Sequence, residues 1–143
     1  METCIKSFEE LTKEELYQLL QVRESVFVVE QNCPYQEIDS LDTEAVHIFF
    51  RESGRILAYC RIYKKDESTM QIGRVLSTRR RQGYGLQLLK CALAEIRKDP
   101  AVTSIIMEAQ LYAIPFYEKA GFTAVGEPFD EDGIMHILMR LTL

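Results

Sequence analysis

The chain has 143 residues, 47% hydrophobic and 27% charged, which fits one compact globular domain over residues 1–143. A net charge of −5 argues against nucleic acid as the main partner, because duplex binding needs broad neutralisation of phosphates by lysine and arginine. Met1 to Lys6 has no basic leader followed by an apolar run, and no later stretch is apolar for the thickness of a bilayer, so a soluble cytoplasmic protein with no membrane contact is expected.

Thr12-Lys13-Glu14-Glu15 reads as a capping box, with Leu11 and Leu16 placed as its hydrophobic staple. The apolar stripe Leu16, Leu19, Leu20 and Val26 carries this first helix to about Phe27, where a β-branched run begins. Gln31 to Thr43, with Pro34 and several acids, reads as a structured loop or short helical turn facing substrate. His47 to Phe50 and Ile56 to Tyr63, joined by Glu52-Ser53-Gly54-Arg55, predict a β-hairpin. Met70 to Leu76 is a further strand. Leu86, Leu89, Ala92, Leu93 and Ile96 then recur at helical spacing, stopped by Asp99-Pro100. Val102 to Ala109 reads as a strand, Tyr112 to Ala120 as a short helix ended by Gly121, and Phe122 to Val125 and Ile134 to Leu143 as strands. This order predicts an α+β fold, a mixed sheet with helices on both faces.

Four widely scattered cysteines, with no Cys-x-x-Cys pair and only two histidines, predict reduced buried thiols and no metal. The most informative stretch is Arg79-Arg80-Arg81-Gln82-Gly83-Tyr84-Gly85, which sets three cations and two glycines at a helix start in an acidic protein. A helix N-terminus offers unpaired N–H donors and a positive dipole end, and glycine lets an anion approach the backbone. A P-loop would need a Gly-Lys-Ser/Thr ending, and a dinucleotide fingerprint a third glycine where Leu88 stands; both are absent. A solvated basic turn is the plain alternative, which this loop alone leaves open.

Two motifs in order go further. Arg80-Arg81-Gln82-Gly83-Tyr84-Gly85 matches the Arg/Gln-x-x-Gly-x-Gly/Ala signature of the GNAT acetyltransferases, after a strand and before a helix. Gln110, Ala113 and Phe116-Tyr117-Glu118-Lys119-Ala120-Gly121-Phe122 resemble that family's second signature. Val26 to Tyr35, Gly126-Glu127, Glu131 to Ile134 and His136 resemble its ElaA-type branch in particular. Ser77 stands where many relatives have proline, and Gln110 where many have asparagine.

The resemblance implies a GNAT-type, mostly antiparallel twisted sheet of six to seven strands and acetyl-CoA as acyl donor. It places the pyrophosphate on Arg81, Gln82, Gly83, Tyr84, Gly85 and Leu86, with Arg80 near a phosphate. The pantetheine arm would follow Val75, Leu76 and Ser77, with Gln110 and Phe116 beside it. Tyr117 would be the general acid for the departing thiolate, an ordinary pKa of roughly 10 keeping it protonated; a structural tyrosine with its hydroxyl bonded to backbone is the alternative. For the base, Glu30, Glu108 and His136 are candidates, Glu108 and His136 ranking first, and a water relay would need none of them.

The acceptor is expected to be a small-molecule or peptide amine, attacking directly in a ternary complex rather than through Cys60 or Cys91. Glu37, Asp39, Asp42, Glu44 and Asp130-Glu131-Asp132 could steer a cationic amine, although a solvated acidic surface is the blander reading for each. A homodimer is an expectation of family habit alone. A non-catalytic acyl-CoA sensor is the runner-up from another class, and a nucleotide-binding protein the third reading.

Overall fold

The computed structural model describes residues 1–143. Seven strands form one sheet in the order β1-β2-β3-β4-β5-β7-β6. They are β1 (Glu2–Ser7), β2 (Val46–Glu52), β3 (Arg55–Lys64), β4 (Thr69–Ser77), β5 (Ser104–Gln110), β6 (Thr123–Glu131) and β7 (Ile134–Thr142). Every neighbouring pair is antiparallel except β4 with β5. Helices α1 (Lys13–Arg23), α2 (Tyr84–Ile96) and α3 (Ile114–Lys119) complete the α+β fold.

Strand alternation divides the core. Ile48, Phe50 and Cys60 turn to one face and join Leu88, Leu89, Ala92, Leu93 and Ile96 of α2. Phe49 and Tyr59 turn to the other and join Leu19 of α1, with Cys4 of β1. Helices therefore cover both faces.

The Thr12 hydroxyl accepts from Glu15 N–H while the Glu15 carboxylate accepts from Thr12 N–H, so α1 starts at its capping box. Its end departs from the expected α-helix to Phe27. After Arg23 the chain widens into a π-helix, Glu24–Glu30, in which Cys33 N–H reaches back five residues to the Val28 carbonyl. The crowded run Val26-Phe27-Val28-Val29 favours such widening over tight α turns. β6 also runs well past the expected Val125. Gly126 and Pro128 are poor strand formers, but β6 is an edge strand, where a bulge at positive φ and a missing N–H are tolerated.

The feature that makes a site is the β4–β5 junction. The two strands pair only from Thr69 opposite Ser104 to Gln71 opposite Ile106. Beyond that β4 continues to Ser77 and β5 to Gln110 with no bonds between them, and a wedge opens. A bulge in β4 bends it away at this point: Arg74 and Val75 together oppose Cys60 of β3, and Arg74 takes φ +54°. A left-handed non-glycine residue costs on the order of 1–3 kcal/mol and persists only where its surroundings hold it.

Candidate active site

The wedge opens into a cleft of about 570 Å³. One wall is β4 with the tip of β3, the other β5 with the β6–β7 hairpin, and the arginine-glycine loop closes one end. Val75, Leu76, Ser77, Arg80, Arg81, Gly83, Tyr84, Gly85, Leu86, Gln110, Phe116, Tyr117, Glu108 and His136 all line it. Gln82 alone of the expected donor-binding residues lies outside the lining, with an exposed side chain.

At the loop, the first α2 hydrogen bond runs from Gln87 N–H to the Gly83 carbonyl. The N–H groups of Tyr84, Gly85 and Leu86 are thus left to an outside acceptor, at the positive end of the helix dipole. Gly83 caps the helix at φ +76°, a conformation that favours glycine. Gly85 serves packing instead: a Cβ there would sit 3.1 Å from Cζ of Phe116, so its absence lets the Phe116 ring close over the helix start. Arg79 pairs with Glu52 at 3.6 Å and Arg80 with Glu30, while Arg81 has no ion pair. Glu30 is therefore the partner of a loop arginine and does not line the cleft.

Tyr117 enters the cleft from α3, whose first turn is set by Pro115. Its ring packs edge-on against Phe116, centroids 5.1 Å apart, and against Phe122 at 6.4 Å. Its hydroxyl has no protein hydrogen-bond partner, unlike that of a structural tyrosine. Burial, then the Tyr112 and Cys60 side chains, push its pKa well above the ordinary value of 10, so it holds its proton throughout the neutral range. Cys60 is fully buried and its thiol is pushed up by the same desolvation, which leaves it inert.

The second wall is acidic. Glu108 and Gln110 share one face of β5, and His136, in register with Gln110, projects beside them from β7. His136 Nδ1 donates to the Ile134 carbonyl at 2.8 Å and lies 3.8 Å from the Glu131 carboxylate. Burial first, then the adjoining Glu108 carboxylate and the charge of Asp132, raise the Glu131 pKa to about 7 against the opposing pull of Arg74. Sequence reasoning offered Glu131 within the Asp130-Glu131-Asp132 run that could steer a cationic amine, and did not single it out as a base. The missing signal is the turn between β6 and β7, which carries it back over β5.

Glu37, Asp39 and Asp42 correct an expectation: they are neither a solvated acidic surface nor free to steer a substrate. Glu37 and Asp42 are buried, and all three carboxylates face Arg23, Arg61 and Arg74. Arg23 Nε donates to Glu37 at 2.9 Å and Nη1 to Asp42 at 2.7 Å; Arg61 Nη1 donates to Asp42 at 2.9 Å and to Asp39 at 2.8 Å. Arg74 Nε donates to Glu37 at 2.6 Å. Three cations matched to three anions clamp the 35–42 segment to β3 and β4 and hold the Arg74 bulge in its left-handed conformation. His47 belongs to this framework: Nε2–H donates to the Asp42 carbonyl at 2.9 Å and Nδ1 accepts from the Tyr59 hydroxyl at 2.6 Å, with burial lowering its pKa.

The network has a pH signature. Despite its burial, Asp39 is held at a pKa of about 2 by Arg61 and then Arg74, against 3.8 in the unfolded chain. A depressed carboxylate contributes stability above the unfolded pKa and loses it as pH falls through the folded one. Thermal melts should thus show Tm falling between about pH 4 and pH 2, with a shallower fall in Asp39→Asn; parallel slopes would contradict the pairing.

Residues 9–143 match the Acetyltransferase (GNAT) domain family. The chain belongs to the GNAT family. Protein ElaA of Escherichia coli is 40% identical over 136 residues, 91% of this chain and 89% of the relative. A UPF0039 protein of Schizosaccharomyces pombe is 36% identical over 147 residues, covering 100% of this chain and 98% of its own. Among solved structures, an acyl-CoA N-acyltransferase from Pseudomonas aeruginosa superposes with a TM-score of 0.91 at 40% identity, covering 99% of both chains. As a GNAT protein the chain is an acyltransferase by family and by fold, and no helix is long and apolar enough to cross a membrane.

Proposed function

We propose that the protein transfers an acetyl group from acetyl-CoA to a primary amine by direct attack in a ternary complex. The observation that carries this reading is the unpartnered Tyr117 hydroxyl in a cleft that begins at an anion-ready helix start. The CoA pyrophosphate would lie on the N–H groups from Arg81 to Leu86, with Arg80 exchanging Glu30 for a phosphate. The unpaired edge of β4 from Val75 to Ser77 offers backbone donors and acceptors to the pantetheine amides, with Gln110 and Phe116 opposite. The thioester would then sit near the Arg74–Val75 bulge, where Tyr117 can protonate the departing thiolate. The name of the Pseudomonas aeruginosa protein, an acyl-CoA N-acyltransferase, supports the donor class.

Thiol release from acetyl-CoA, followed over a panel of primary amines, tests the reading. Release that depends on the amine, with the acetyl group recovered on its nitrogen, is expected. Tight CoA binding with no amine-dependent release would instead make the protein an acyl-CoA sensor.

A further inference from the structure

The acids around the cleft are matched by arginines except in one place. The acids of the 35–42 segment have Arg23, Arg61 and Arg74, and Glu30 has Arg80. Glu108 and Glu131 have no comparable partner. The groups facing them are Asp132 on the same turn, Tyr63 on β3, His136 on β7 at 3.8 Å, and Arg74 on β4, whose guanidinium is committed to Glu37 and Asp39. Two carboxylates thus meet on the wall of a cleft that Tyr117 also lines with an unpartnered hydroxyl. A cation carrying hydrogen-bond donors would complement this pair.

We propose that Glu131, braced by Glu108, is the catalytic base that takes the proton from a cationic primary amine before that amine attacks the acyl group. The inference rests on the transferase reading above. Near neutral pH Glu131 retains a proton in part of the molecules, because burial and then the adjoining Glu108 carboxylate resist its ionisation. An incoming ammonium takes the place of that proton, which leaves to solvent. Glu131 then accepts one proton from R–NH3⁺, and the neutral nitrogen forms its C–N bond as the C–S bond breaks. Tyr117 protonates the leaving thiolate and recovers a proton from the new amide nitrogen. The proton now on Glu131 restores the one held at the start, so each turnover converts ammonium and thioester into amide, thiol and the single proton released when the ammonium bound.

Two probe amines with acetyl-CoA test this: n-propylamine, an ammonium at neutral pH, and methoxyamine, which is neutral there. For propylamine, wild-type kcat/KM should rise through about pH 7 and then level off, where a water relay would keep rising toward the amine's own pKa. Glu131→Gln should lose that limb and about 10²-fold in rate with propylamine, while the methoxyamine rate changes less than about threefold. Equal losses with both amines, or none with either, would overturn the proposal. A ¹³C titration of the Glu131 carboxyl supplies a readout independent of turnover, with a midpoint near 7 that moves down in Glu108→Gln while burial still holds it above the ordinary carboxylate range. A wild-type midpoint below about 5 with turnover intact overturns the base alone. No thiol release with either amine overturns the transferase reading and the base with it, even with the midpoint at 7.

Discussion

Tyr117→Phe is expected to lower kcat by about 10²–10³-fold while changing the Kd for CoA less than about threefold, because a general acid contributes on that order and the ring's packing is retained. Phenylalanine keeps the edge-on contacts with Phe116 and Phe122, so the fold loses little. The hydroxyl bonds nothing in the protein, and its removal orphans no buried partner. That separates this tyrosine from Tyr59, whose hydroxyl is bonded to His47 and whose loss would disturb the arginine network. Burial keeps Tyr117 protonated far above neutrality, so the acid should impose no falling limb on the rate below about pH 9. Steady-state kinetics beside calorimetric CoA binding would check both parts; full activity in the variant would remove the acid role.

Arg23→Met is expected to destabilise the fold by about 3–5 kcal/mol, the range for removing one member of a buried ion network. Arg23 is fully buried, and its loss strands Glu37 and Asp42 with fewer cations in a desolvated site. Urea unfolding would measure it. Since the 35–42 segment also holds Arg74 at its bulge, the surviving folded fraction should show a raised KM for acetyl-CoA. Stability loss below about 1 kcal/mol would mean that the network is dispensable.

The proposed donor half of the site was legible in the chain. Gly83 and Gly85 after a strand and before an amphipathic helix read as an anion site because the requirement is local, being free N–H groups, a positive φ and no Cβ. Tyr117 was legible through a contiguous motif on one short helix. On the opposite wall Glu108 and His136 were legible one by one, and their meeting with Glu131 was not: the three come from three strands, and it depends on the register of β5 on β7 and on the turn at Asp132. The acids at 37, 39 and 42 looked solvated because their partners, Arg23, Arg61 and Arg74, lie on elements remote in sequence.

By itself, then, the sequence determined the class of fold, the helix that starts at Thr12, the glycine-capped helix start at Gly83, and the family, all of which depend on local periodicity, capping and contiguous motifs. Only the tertiary structure decided which acids are spent on arginines and which stand unpaired in the cleft. A carboxylate's role depends on its neighbours in space: at Asp39 two guanidiniums hold the pKa down, and at Glu131 burial and a second carboxylate push it up.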